Sequence, residues 1–253
     1  MTYLILILSF LTLQHFPLLG YHNEYHYEGN PEWEKYENRL DIVSKYIPEN
    51  PTVFEVGAFD GSDSVRMARH WPHGKVISFE ANPARFAEHQ EKIKSCPNAS
   101  SYNLAVNTYN GVAKFYVCWG STGDDPIFEG ASSLLEPSEA QKVHFKGPEI
   151  TVPCVIFDDW CQNNGVKAID FMWLDLEGFE LQFLMSSPKI LKTVRAIYSE
   201  TNFFKFREGT TQFVYLKKYL ELQGFSMIAH WYNEGVQGDA IFIRKEYINK
   251  KNS

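Results

Sequence analysis

Between Pro51 and Gly224 the chain alternates two kinds of segment, and that alternation restricts its folds more than any other feature. The runs "PTVFEVG", "GKVISFEANP", "ASSYNLAVN", "IDFMWLDLEGFE" and "VRAIYSETN" are short, β-branched and aromatic, which predicts strands. Between them, "SDSVRMARHW", "NPARFAEHQEKIKS", "ELQFLMSSPKIL" and "TTQFVYLKKYLELQG" read as helices. Asn82 caps the second of these with Pro83 at its first position, Pro188 breaks the third and Gly224 stops the fourth. Two further strands are expected in "GVAKFYVCW" and "ITVPCV", the latter leading into a short helix, while residues 120–149 show no period. A terminal hairpin, "FSMIAHWYNEGVQGDAIFIRK", follows. This order predicts an α/β fold: a mostly parallel sheet flanked by helices, with one antiparallel edge strand from the C-terminal hairpin.

At 253 residues the chain suits one large domain, expected over 40–245, between a polar linker at 21–39 and a polar tail at 246–253. The net charge of -7 argues against sequence-independent nucleic-acid binding, which depends on Lys and Arg neutralising phosphates. Cys96, Cys118, Cys154 and Cys161 form no Cys-x-x-Cys pair and read as buried thiols. His22 and His26 stand at helical ligand spacing without a third ligand nearby, so no metal is expected. Residues 1–20 are apolar from Tyr3 to Leu13, a helical rise of about 16 Å, roughly half a bilayer's hydrocarbon core. No Lys or Arg precedes that run, and three readings stay open: a secretory signal, a superficial membrane anchor and a segment packed on the domain.

The ligand site is expected where the first strand turns into the first helix, at "VFEVGAFDGSDS". Gly57 and Gly61 remove side chains where a ligand approaches backbone. Glu80, at the end of the second strand, is placed like an acid that hydrogen-bonds adjacent ribose hydroxyls. These features suit an adenosine-type ligand. A dinucleotide pyrophosphate needs Gly-x-Gly-x-x-Gly, whereas the spacing here is Gly-x-x-x-Gly with Asp60 inside and Glu55 just before. S-adenosylmethionine carries a sulfonium and an ammonium but no phosphate, so acids suit it better. An ordinary strand-turn-helix with solvated acids would share the glycine pair.

The segments "FEVGAFDGSDS", "VISFEANPARF", "NLAVN", "GASSL", "FDDW" and "IDFMWLDLEGFELQFL" occur in the order and spacing of the FkbM-type S-adenosylmethionine-dependent methyltransferases, which the chain resembles over about residues 40 to 205. The resemblance implies a class I methyltransferase (Rossmann-like) fold and methyl transfer to oxygen, on a small-molecule or glycan acceptor. Carried over, Glu55, Gly57, Ala58, Asp60 and Gly61 fall on the loop at the donor's methionine end, Glu80 and Ala81 at the ribose, and Asn103 and Ala105 beside the adenine. Asp175 and Glu177 fall on the acidic block facing the reaction. Three positions depart from the family: Phe59 where Asn is common, Ala81 where Pro often follows the ribose acid, and Trp173 where Lys is common.

Displacing a sulfonium in line requires alignment of acceptor, methyl and sulfur, and a hydroxyl acceptor must also lose a proton. Asp175 is the leading base and Glu177, two residues on, the second; either acid also reads as an ordering group or a partner of the donor's ammonium. His144, Ser133 and Glu200 are candidates for the acceptor pocket. Two other functions remain: a donor-binding domain without turnover, suggested by Trp173, and a nicotinamide-dependent oxidoreductase, which the glycine spacing disfavours. Because the donor is made in the cytosol, a cytoplasmic enzyme is expected, with residues 1–20 as the one segment suited to touch a membrane. Oligomeric state does not follow from the sequence.

Overall fold

The computed structural model describes residues 26–34, 38–119, 129–142, 145, 147–233 and 236–249, so the apolar segment 1–20 and His144 lie outside the described residues. The strands are β1 (His26–Gly29), β2 (Thr52–Val56), β3 (Lys75–Phe79), β4 (Ala99–Tyr102), β5 (Ala105–Val106), β6 (Gly111–Tyr116), β7 (Glu149–Val155), β8 (Phe171–Leu174), β9 (Ala196–Asn202), β10 (Phe225–Tyr232) and β11 (Gln237–Arg244). Eight of them form one sheet in the order β1-β10-β11-β9-β8-β2-β3-β4. Neighbours from β9 through β4 are parallel, while β11 runs antiparallel to β9 and β10 antiparallel to β11. The antiparallel side expected from the C-terminal hairpin is therefore present.

The main helices are α1 (Pro31–Glu34), α2 (Arg39–Val43), α3 (Ser62–His70), α4 (Pro83–Ile93), α5 (Phe157–Asn163), α6 (Glu180–Ser186), α7 (Pro188–Leu191), α8 (Phe213–Leu222) and α9 (Lys245–Asn249). They cover both faces, which explains why β2 reads as an apolar run that carries a single acid, Glu55. Val53 packs with Leu40, Met67 and Trp71 on one face. Phe54 and Val56 pack with Phe79, Phe157 and Trp160 on the other. Asn82 caps α4 by accepting the Ala84 N–H at 3.0 Å, behind Pro83 in the first turn. All four cysteines are free and buried. Among the described residues, no helix is long and apolar enough to cross a membrane.

A three-stranded sheet, β5-β7-β6, is added beside the main one and buries its own small core around Phe115, Val152 and Cys154. It holds up the segment 129–142, whose Ser133 pairs with Tyr116 and whose Pro137 pairs with Arg207.

Two boundaries differ from expectation. The stretch read as a linker contains β1, which pairs antiparallel with β10 from His26↔Tyr232 to Gly29↔Ala229. A four-residue edge strand with two exposed members carries too little alternation to announce itself. The stretch read as a tail begins inside α9, where Tyr247 and Ile248 pack against the core.

Candidate functional site

Strand order reverses at β2, with β3 and β4 on one side and β8 and β9 on the other, so the cleft opens above its carboxyl end. The turn there is pinned to both neighbours. The N–H groups of Gly57 and Ala58 donate to the Phe79 carbonyl at 3.1 and 2.9 Å, and the Asp175 N–H donates to the Val56 carbonyl at 3.0 Å. Gly57 (φ +89°) and Gly61 (φ +78°) have no room for a side chain: an added Cβ would stand 1.7 Å from the Asp175 carbonyl oxygen and 2.4 Å from His89 Cδ2, respectively. Phe59, between them, is also left-handed at φ +46°, where a bulky residue carries backbone strain. Asn, which the resemblance implies at this position, tolerates this region better.

Glu80 lines the cleft and is 6% exposed. Its Oε2 accepts the Phe59 N–H and its Oε1 the Asn82 N–H, both at 2.7 Å, so it ties the turn to the start of α4. Burial pushes its carboxyl up to about 7 against these hydrogen bonds. Each oxygen keeps a lone pair for a further donor.

The acid before the glycines, Glu55, and the acid between them, Asp60, also line the cleft, but the charge of the first is suppressed and that of the second is compensated. Burial pushes Glu55 up to about 8, and its Oε2 accepts from the hydroxyls of Ser64 and, at 3.0 Å, Ser78. Asp60 is bound by Lys92 and by the Ser62 N–H at 3.0 Å. Glu55 thus supports the turn from beneath, and Lys92 compensates Asp60.

The negative end lies one strand over. Carboxylate oxygens of Asp175, Glu177 and Glu200 all fall within 4.8 Å of one another, a spacing at which one cationic group can sit against all three. Adjacent strand ends bring them together, since Leu174 is in register with Ser199. Asp175 is deep in the protein yet opens into the cleft and stays exposed. Burial, then Glu177 and Glu180, push its carboxyl well up, and burial, Glu177 and Asp175 do the same to the 7%-exposed Glu200. Glu180 fixes the loop, its Oε1 accepting the N–H groups of Leu176 at 3.0 Å and Gly178 at 3.2 Å. Trp173 is buried and stacked on Tyr198 at 3.8 Å with Arg66 over its face, so that position packs instead of carrying charge.

At the other end the lining is apolar: Phe79, Ala81, Leu104, Ala105, Val106 and Phe115. Ala105 is at the wall. Asn103 is not in the lining; its amide donates to the Glu80 and Ala81 carbonyls at 2.8 and 3.1 Å, holding the β3 end in place. Ser133 is in the lining and also donates to the Glu177 carbonyl at 3.2 Å. Sequence reasoning missed the aromatic walls Phe79 and Phe179 and the buried Arg207 behind Ala131. The first two read as core, and Arg207 lies in a stretch with no periodic signal.

Residues 55–227, more than half of the chain, match the family described as "Methyltransferase FkbM domain". The "2-O-methyltransferase NoeI" of Sinorhizobium fredii (strain NBRC 101917 / NGR234) is 30% identical over 205 residues, covering 79% of this chain and 82% of that protein. "Methyltransferase sdnD" of Sordaria araneosa is 25% identical over 169 residues, 54% of this chain and 61% of its own length. A solved fibrillarin of Aeropyrum pernix with bound S-adenosyl-L-methionine superposes with a TM-score of 0.47 at 10% identity, covering 83% of this chain and 76% of that one; a likeness of that size carries no argument. On the family match and the 30% relative, this chain belongs to the FkbM methyltransferases, enzymes that use S-adenosyl-L-methionine.

Proposed function

We propose that the chain methylates a hydroxyl oxygen of a neutral, hydroxyl-rich small molecule or glycan. The observation that carries this reading is the order of polarity along one cleft. Apolar Leu104, Ala105 and Val106 lie at one end, Glu80 in the middle, and Asp175 with Glu177 at the other. That order suits the adenine, ribose and cationic methionine end of the donor. Gly57, Ala58 and Gly61 shape the turn beside the methionine end. Glu80 is the acceptor for ribose hydroxyls, with Ala81 next to it, and Ala105 faces the base.

The donor supplies a methyl carbon made electrophilic by a sulfonium. This chain's part is to align the acceptor oxygen with that carbon, exclude water and receive the proton that the oxygen sheds. The acids at the end of β8 stand where such a proton goes. A surplus of carboxylates disfavours phosphorylated or carboxylated acceptors and suits hydroxyls, which donate to them. Glu200 and Ser133 belong to the acceptor side, and a hydroxyl acceptor agrees with the name of the 2-O-methyltransferase relative.

The test is release of S-adenosylhomocysteine with a panel of neutral methyl hexopyranosides, their uronic-acid counterparts and amine acceptors. Transfer to the neutral glycosides is expected; transfer only to amines or uronates sinks the reading. The cytosolic supply of the donor supports a cytoplasmic reaction. Fractionation of the full chain against one starting at residue 21 tests whether residues 1–20 add membrane contact.

A further inference from the structure

Beneath the donor turn, polar side chains from four elements meet: Glu55 of β2, Ser64 of α3, Ser78 of β3 and His89 of α4, none more than 1% exposed. Glu55 and Ser78 are register partners on adjacent strands. Ser64 Oγ lies against Glu55 Oε2, 2.7 Å from Ser78 Oγ and 3.0 Å from His89 Nε2, and Ser78 Oγ stands 3.0 Å from Glu55 Oε2. The two hydroxyl oxygens and Glu55 Oε2 thus form a triangle whose edges absorb both hydroxyl hydrogens. The hydrogen between Ser64 and His89 must then sit on Nε2. That choice leaves Nδ1 a bare lone pair, and Nδ1 has no hydrogen-bond partner. The other tautomer would bury an orphaned N–H there, the rarer kind of unpaired group in folded proteins. Burial pushes the imidazole down to about 4 against the pull of Asp60, with Lys92 adding to the burial, so the ring is neutral at pH 7.

The same ring seats the turn by contact. A Cβ on Gly61 would stand 2.4 Å from His89 Cδ2 and 2.9 Å from Cγ, so the imidazole edge occupies the space that the glycine leaves. Gly61 is where the turn becomes α3: its N–H donates to the Ala58 carbonyl at 2.9 Å, and its carbonyl accepts the Val65 N–H at 3.0 Å. α4 therefore grips the turn twice, at its start through Glu80, which holds the Phe59 and Asn82 N–H groups, and further along through His89. An apolar residue of similar size would fill the space beside Gly61 and leave Ser64 without its donor.

Resting on the placement of the donor's methionine end at this turn, we propose that His89 is a positioning residue for donor binding: as the Nε2–H tautomer it fixes Ser64, and through Ser64 it fixes Glu55 and the turn from Gly57 to Gly61. His89 is not in the cleft lining, so it acts through Ser64 and Gly61 alone. Its contribution falls on the affinity and KM for the donor, while the acids at the end of β8 keep their arrangement.

The experiment joins histidine NMR of 15N-labelled wild type with calorimetry against S-adenosylhomocysteine for wild type, His89→Leu, His89→Gln, Ser64→Ala and the double variant of His89→Leu with Ser64→Ala. At pH 7 the wild type should show a protonated Nε2 and a bare Nδ1 for His89. His89→Leu should weaken binding about tenfold, the worth of one buried hydrogen bond, and His89→Gln, whose amide presents an N–H near the place of Nε2, should restore most of it. With the methyl hexopyranosides as acceptors, His89→Leu should raise the donor KM by about the same factor and leave kcat at saturating donor within about threefold. Ser64→Ala should lose at least as much affinity, and the double variant no more than the worse single one, because both remove one contact. An Nδ1–H or doubly protonated ring at pH 7, a His89→Leu variant that binds like wild type, or single losses that simply add in the double variant overturns the assignment. If His89→Leu does not fold, the tautomer and His89→Gln decide, and a tenfold loss in His89→Gln, as a ratio of about ten to wild type, overturns it. A wild type that binds no S-adenosylhomocysteine overturns the donor placement beneath it.

Discussion

Gly57 and the carbonyl of Asp175 meet across the seam between β2 and β8, and a methyl group on the glycine would stand 1.7 Å from that oxygen. The donor turn and the acidic end of the cleft are thus one mechanical unit. Gly57→Ala is expected to cost about 3 kcal/mol or more, from the clash and the left-handed backbone together. Urea unfolding gives the stability, and calorimetry with S-adenosylhomocysteine should show donor affinity falling with it. A variant as stable as wild type would contradict this close approach.

Glu80 holds the turn with one oxygen and the start of α4 with the other. Glu80→Ala should weaken S-adenosylhomocysteine about 100-fold, and Glu80→Gln about tenfold, since the amide keeps a single acceptor oxygen. Equal losses in the two variants would mean that the carboxylate only fills space.

Glu55 gives a pH dependence of definite sign. Its folded value of about 8 lies above the usual carboxylate range, so folding favours the protonated form. The penalty is absent below the unfolded carboxylate range near 4.5 and grows as pH rises towards 8. Glu55→Gln should therefore gain stability relative to wild type by a few kcal/mol between pH 5 and pH 8. Denaturant midpoints at those two pH values measure it, and a gain independent of pH would count against a neutral Glu55.

Phe59 sits at φ +46°, a region that costs a bulky residue about 1 kcal/mol. Phe59→Asn should raise the thermal midpoint by a few degrees despite loss of the ring's contact with Arg85 at 5.8 Å. A lowered midpoint would show that the ring contributes more than the backbone strain removes.

Local signals carried most of the fold. Asn82 and Pro83 announce α4 because a cap needs only a few consecutive residues, and the β2 run announces a strand buried on both faces. What stayed hidden depends on residues far apart in the chain. Nothing near Asp60 shows that Lys92 will meet it, and nothing in "FFKFREGT" shows that Arg207 will donate to the Ala131 carbonyl. The bonds of Asn103 stayed hidden for a related reason: a strand-end amide serves the neighbouring backbone as readily as a ligand. The charge argument rested on two acids whose charge is compensated or suppressed, while Asp175 and Glu177, read first as bases and second as partners of the donor's ammonium, bring further acid to the cleft.

Among the described residues, the four of β1, His26–Gly29, shield the outer flank of β10 at Ala229–Tyr232. Trimming the chain at Asn30 would strip that cover from Ala229–Tyr232, half of the eight-residue β10, leaving their amides and carbonyls ready to zip onto a second molecule. Shortened versions made for crystallisation or assay would then self-associate as concentration rises, a stickiness easily mistaken for native dimerisation.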